Sequence, residues 1–161
     1  MRETKAIDYI LLTMNEFADQ IRKITRYSKL AVLADADHGY GNAMNISRTT
    51  EELENAGISA FTIEDTQLPL PFDAVNQNKL IDSNEMVGKL NAALKTRQDK
   101  SMSIIARTSA INLVGLDEAI ARVKKYSELD IDGIFRFLHL ERAKTSVFQT
   151  SFSGENPPDI S

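Results

Sequence analysis

Short apolar runs alternate along this chain with longer stretches in which apolar residues recur every three or four positions. Residues 7–12 form a run of strand length, and Phe17, Ile21 and Ile24 then mark one face of a helix. Residues 30–34 read as a second buried strand. A break at Gly39-Tyr40-Gly41 leads into a helix that turns Ile46, Leu53 and Ala56 inward, with Gly57 as its C-terminal stop. Residues 59–63 make a third strand, and residues 65–81, with Pro69, Pro71, Asn76 and Asn78, show no period and read as a long loop. Asp82 or Ser83 can cap the next helix, whose buried side carries Met86, Val87, Leu90 and Leu94. A fourth strand covers 102–106. A helix with Leu116, Ile120, Val123 and Leu129 inward follows, and a fifth strand begins at 132–135.

Continuously apolar strands separated by amphipathic helices imply parallel βαβ units with the sheet covered by helices. The expected fold is α/β, either a barrel or a doubly wound sheet. No G-x-G-x-x-G follows the first strand, so the dinucleotide-binding fingerprint is missing. Beyond Phe135 the chain turns to Arg, His and Lys, then to Ser, Thr, Gly and the pair Pro157-Pro158. Residues 136–161 therefore read as an irregular tail, behind a domain at 1–135.

Composition narrows the function classes. The 161 residues carry a net charge of -4, without the basic face that nucleic-acid phosphates require. The absence of cysteine excludes disulfides, a thiolate metal site and a cysteine nucleophile. No apolar run approaches the roughly 20 residues of a membrane span, and residues 1–8 show no apolar signal segment. A cytoplasmic protein is expected, with neither nucleic acid nor membrane as partner.

Polar residues fall where parallel α/β folds place their active sites, at the carboxyl ends of the strands. Thr13 ends the first strand, Asp35 and Asp37 the second, Glu64 and Asp65 the third, and Arg107 with Thr108 the fourth. Strand alternation would point Asp35 and Asp37 the same way. Several carboxylates meeting at one mouth repel unless a cation joins them, and hard oxygen donors with open positions suit Mg²⁺ or Mn²⁺. A single such acid can equally open a turn or cap a helix. Their succession along strand ends, with an Arg opposite, favours the cation site.

The run Asp35-Ala36-Asp37-His38-Gly39-Tyr40-Gly41-Asn42 resembles the metal-binding D-x-D-x-G-[YF]-G-N signature of the isocitrate lyase/phosphoenolpyruvate mutase superfamily. The likeness extends through Arg48-Thr49, Glu54-Asn55-Ala56-Gly57 and Ile63-Glu64-Asp65 to Ile104-Ile105-Ala106-Arg107-Thr108 and Asp132-Gly133-Ile134-Phe135. It implies a TIM-type (β/α) barrel, here a partial one of about five parallel strands with flanking helices. It also implies that Asp35 binds Mg²⁺ directly, that Asp37 and Glu64 hold its water ligands, and that Arg107 clamps a substrate carboxylate. The family's chemistry makes or breaks a C–C or P–C bond beside an α-keto acid, with the metal stabilising the developing enolate.

Departures from the pattern choose among branches. The lyases with a catalytic Cys loop are excluded by composition, and residues 65–72 do not match the Lys- and Asn-bearing mutase segment. The Glu64-Asp65-Thr66-Gln67-Leu68-Pro69 wording, His38, and Thr13 at the first strand end are most similar to the oxaloacetate decarboxylase branch. The implied reaction is loss of CO₂ from oxaloacetate and protonation of the resulting enolpyruvate. His38 would orient substrate or donate a proton, or else brace the loop. Tyr40 would line the pocket or pack the loop, Asp65 would orient Glu64 or the loop behind it, and His139 falls in the tail.

A full barrel takes about 250 residues, so the resemblance implies missing strands on both sides of this stretch. Two expectations follow. One is a Mg²⁺-dependent lyase for a small α-keto acid; the partner expected in either case is a second copy, as a homo-oligomer, or a full-length paralogue. The other is a degenerate, non-catalytic fragment that at most binds metal or keto acid.

Overall fold

The computed structural model describes residues 12–69, 78–138 and 147–151. Helix α1 (Met14–Tyr27) opens on a capping box in which the Thr13 hydroxyl accepts from the Glu16 N–H and the Glu16 carboxylate accepts from Thr13. Strand β1 (Leu33–Asp35) leads through a tight loop into α2 (Ala43–Asn55), capped by Asn42. Then come β2 (Ala60–Glu64), α3 (Ser83–Thr96) capped by Asp82, β3 (Ser103–Thr108), the single turn α4 (Ala110–Leu113), α5 (Leu116–Ser127), β4 (Gly133–Leu138) and β5 (Val147–Ser151).

The sheet order is β1-β2-β3-β4-β5. Strands β1 to β4 pair in parallel, with Leu33 beside Ala60, Ala60 beside Ser103, and Ile105 beside Gly133. That register puts Ala34, Phe61, Ile63, Ile104, Ala106 and Ile134 on one face. All six belong to the hydrophobic core, together with Ile21 of α1, Ile46 and Leu53 of α2, Met86 and Leu90 of α3, and Tyr126 of α5. Among the described residues the helices therefore cover a single face, as in the wall of a barrel and unlike a doubly wound sheet. The opposite face carries Asp35, Thr62, Glu64, Ile105 and Arg107, since side chains repeat every second residue.

Several sequence expectations change. The run at 7–12 lies almost wholly outside the described residues, where only Leu12 is seen, in a bend. Strand β1 starts at Leu33, because Leu30 and Ala31 are exposed and leave the sheet. Helix α5 turns Ala119, Arg122 and Tyr126 inward, while Leu116 and Ile120 are exposed, because the core at that point holds a buried acid that needs polar partners. The stretch read as an irregular tail contains β5, which pairs antiparallel with β4, Phe137 beside Phe148 and Leu138 beside Val147. The described sheet thus has four parallel strands and one antiparallel strand. The backbone groups along that edge of β4 demand partners, and β5 supplies them. Among the described residues, no helix is long and apolar enough to cross a membrane.

Candidate active site

The polar cluster is assembled by register. Glu64 and Arg107 are direct neighbours across the β2–β3 ladder, and Asp35 is the neighbour of Thr62, two residues before Glu64 on the same face. The Arg107 guanidinium joins both acids, one terminal nitrogen on Asp35 Oδ2 and the other on Glu64 Oε2. Three adjacent strand ends are thereby tied through one planar fork, a geometry that Lys could not reproduce.

Each acid is also oriented by uncharged donors. Asp35 Oδ1 accepts from Thr62 Oγ1 at 2.8 Å and from the Asp37 N–H at 3.1 Å. Glu64 is 5% exposed, and its Oε1 accepts from Thr66 Oγ1 at 2.7 Å and from Ser109 Oγ. Asp37 is placed by a turn. Strand β1 has ended at Asp35, and Asp37 takes a left-handed backbone, φ 48°, with its N–H turned back to Asp35. The Glu64 N–H donates to the Asp37 carbonyl at 2.6 Å, so the loop is seated on the end of β2. The expectation that strand alternation sets the two side chains is therefore replaced by a turn that brings the Asp37 N–H back to Asp35.

Loop 36–42 is tightly packed. Gly39 (φ 77°) leaves no room for a side chain, because a Cβ there would meet Ile46 Cδ1 at 2.3 Å. Tyr40, also left-handed at φ 63°, has its ring 6.0 Å from that of Phe17 on α1 and 6.2 Å from that of His38. Burial, helped by the Asp37 charge, pushes the Tyr40 hydroxyl up to about 12. His38 is 7% exposed, and its Nδ1 is buried without a hydrogen-bond partner. Burial first, and the Lys89 charge second, bring its pKa down to about 4, so its imidazole is neutral at ordinary pH.

The remaining expected residues lie apart in role. Thr13 is the N-cap of α1, and its hydroxyl is committed to Glu16. Asp65 is fully buried and turns into the core. Its Oδ2 accepts from Thr108 Oγ1 at 2.7 Å, from Tyr126 Oη at 2.9 Å and from the Arg122 guanidinium at 3.0 Å. Burial, reinforced by the Asp65 charge, raises the Tyr126 hydroxyl well above its usual range and keeps it a donor. Sequence reasoning missed Thr62, Thr66, Ser109, Lys89, Arg122 and Tyr126. For Arg122 and Tyr126 the signal was their spacing from Ala119, which puts all three on one face of α5.

Could this cluster take a divalent cation? Among the described residues, no three His, Cys, Asp or Glu side chains are grouped to hold an ion by themselves. Mg²⁺ does not ask for such a cage, because it keeps several waters and uses one or two carboxylates. The Asp35 side chain is 43% exposed and held at Oδ1 by Thr62 and the Asp37 N–H, so its Oδ2, paired here with Arg107, is the atom a cation would share. Asp35 and Glu64 set two negative charges against the one charge of Arg107, an excess that a cation balances. The donor set fits a hydrated divalent cation.

Comparison with known proteins identifies the family of this chain. The family model described as phosphoenolpyruvate phosphomutase matches residues 6–155. An oxaloacetate decarboxylase of Marinomonas sp. (strain MWYL1) is 50% identical over 147 residues, which cover 88% of this chain and 50% of that protein. One from Bradyrhizobium sp. (strain ORS 278) is 49% identical over 128 residues, covering 80% and 44%. The chain thus spans about half the length of the curated relatives it matches. A crystal structure of phosphonopyruvate hydrolase in complex with oxalate and Mg⁺⁺ superposes with a TM-score of 0.74 at 31% identity, over 84% of this chain and 46% of that one.

Proposed function

This chain belongs to the phosphoenolpyruvate phosphomutase family, and from that premise we propose that it acts as a Mg²⁺-dependent lyase on a small α-keto acid, with oxaloacetate decarboxylation to pyruvate as its reaction. The observation that carries the proposal is the Arg107 fork joining Asp35 and Glu64 across neighbouring strand ends. The half-identical oxaloacetate decarboxylases support the choice of substrate, and the hydrolase bound to oxalate and Mg⁺⁺ supports the choice of ligands.

Asp35 would hold the ion directly, with Asp37 and Glu64 acting through its waters; Mn²⁺ would serve in the same place. A bound Mg²⁺ would supply positive charge beside the keto oxygen, where negative charge gathers as the C–C bond breaks. The chain's own residues do the positioning. Thr62 and the Asp37 N–H fix the Asp35 carboxylate, and Thr66 and Ser109 fix Glu64. Arg107 exchanges part of its hold on these acids for a substrate carboxylate, which its two parallel N–H groups grip. In oxaloacetate the bond to the distal carboxylate breaks, CO₂ leaves, and the electron pair passes to the keto carbonyl; a proton then returns to carbon to give pyruvate. Burial keeps the His38 imidazole uncharged at neutral pH, so its part would be to orient substrate, to donate through its remaining N–H or to brace the loop, and Tyr40 remains a neutral hydroxyl.

The test is pyruvate release from oxaloacetate with Mg²⁺, measured above the rate of the metal alone. Activity lost in Asp35→Ala supports the proposal. A folded parent chain with no rate above background, and no Mg²⁺ or Mn²⁺ uptake by calorimetry, refutes it.

A further inference from the structure

One buried charge takes no part in the site as described. Lys89 lies on the inner face of α3 between Met86, Leu90 and Ala93, and is 2% exposed. An ammonium withdrawn from water this far is costly unless something holds it. Among the described residues no carboxylate forms an ion pair with it; its hydrogen bond goes to the backbone carbonyl of His38. Burial lowers its pKa to about 8, partly offset by the charges of Glu85 and Asp65, so it remains mostly charged at neutral pH.

The carbonyl it grips is the middle one of three. The Asp37 carbonyl accepts from the Glu64 N–H at 2.6 Å, the His38 carbonyl from Lys89, and the Gly39 carbonyl from Thr49 Oγ1 at 3.1 Å. Three consecutive peptide groups are thus tied to three different elements, β2, α3 and α2. The loop they belong to needs ties, because Asp37 and Tyr40 sit at positive φ, which side-chain-bearing residues disfavour. Between α3 and the loop lies a cleft of about 390 Å³, lined by Thr66, Gln67 and Glu85 among others. A long side chain is required to cross from helix to loop, and Lys89 has that reach.

We propose that Lys89 is a positioning residue for the cation site: by holding the His38 carbonyl it locks loop 36–42 and so sets the direction in which the Asp37 carboxylate leaves the backbone. The inference rests on the proposed function for its purpose, but the brace itself can be tested without metal or substrate.

In metal-free protein, amide hydrogen exchange in Lys89→Met is expected to rise about tenfold or more over residues 36–42, the loss of a hydrogen bond to a charged group. Exchange over α2 and α3 and the melting temperature should stay near those of the parent, because the buried charge leaves together with its bond. Lys89→Arg, which retains a donor, should return part of the protection. Unchanged exchange over 36–42 overturns the proposal, and so does loosening that spreads through α3. Should Lys89→Met not fold, Lys89→Gln, whose amide is too short to reach the loop, gives the same comparison. Mn²⁺ titration then reads the consequence, with affinity expected to fall about tenfold in the variant. Equal affinity in parent and variant refutes the positioning role. A parent that takes up no Mn²⁺ instead refutes the cation site, and the exchange result still decides the brace.

Discussion

Asp65 stands next to Glu64 in the chain and serves a different end, which Asp65→Ala would expose. The substitution leaves Arg122, whose side chain is 9% exposed, without its buried carboxylate, and removes the acceptor for Thr108 and Tyr126. Removing one partner of a buried ion pair costs about 3–5 kcal/mol. Domains of this kind hold about 5–15 kcal/mol in total, so the loss is a large fraction of the stability. At about 2–4 °C per kcal/mol for a chain of this size, the melting temperature should fall by roughly 6–20 °C. Urea unfolding followed by far-UV circular dichroism gives the free energy, with an unchanged slope showing that the transition remains comparable. Below the new melting temperature, Mn²⁺ affinity should stay close to that of the parent. A stability loss under about 1 kcal/mol, or a lost metal site in well-folded protein, would show that Asp65 belongs to the cation cluster and that its network in the core is incidental.

Other expectations are simpler. Arg107→Lys keeps the charge but cannot bridge Asp35 and Glu64 together, so KM for the keto acid should rise about tenfold while the fold is retained; an unchanged KM argues against a carboxylate clamp. His38 has its folded pKa near 4, below the ordinary 6.5, so the unfolded chain takes up that proton first. Metal-free protein should therefore lose stability as pH falls from about 6.5 toward 4, and the urea midpoint of His38→Asn should vary less across that window. Gly39→Ala forces a Cβ against Ile46 at a positive φ, and should weaken Mn²⁺ binding together with stability in calorimetric titration and thermal melts.

The parts of this protein that were legible in its sequence are those set by pleat and ladder. Phe61, Ile63, Ile104 and Ala106 read as strand because both faces of their segments are withdrawn from water, and the meeting of Glu64 with Arg107 follows from ending those strands side by side. At Asp37 strand alternation was the wrong physical reason, since β1 has ended at Asp35 and an Asx-type turn with a left-handed backbone sets its position. Thr13 follows an apolar run and reads as a strand end, yet Thr13-Met14-Asn15-Glu16 also spells a capping box, and that local signal is the one the fold uses. On α5 the apolar period pointed to Leu116 and Ile120, whereas burial follows Arg122 and Tyr126, because one charged residue at the end of β2 dictates what must pack over it. Lys89 was hidden by its type: a lysine in line with Met86, Leu90 and Ala93 reads as solvent-facing unless an acceptor across space is known.

The reversed direction of β5 sets a limit on how this sheet can grow. A closed ring of parallel strands needs the flank of β4 to receive a neighbour running the same way, and the hydrogen-bonding positions from Ile134 to Leu138 are already taken by a strand running the other way. Completing the ring and keeping this antiparallel pair are mutually exclusive. Any further strand arriving there, from this chain or another, must first peel Val147–Ser151 off that flank.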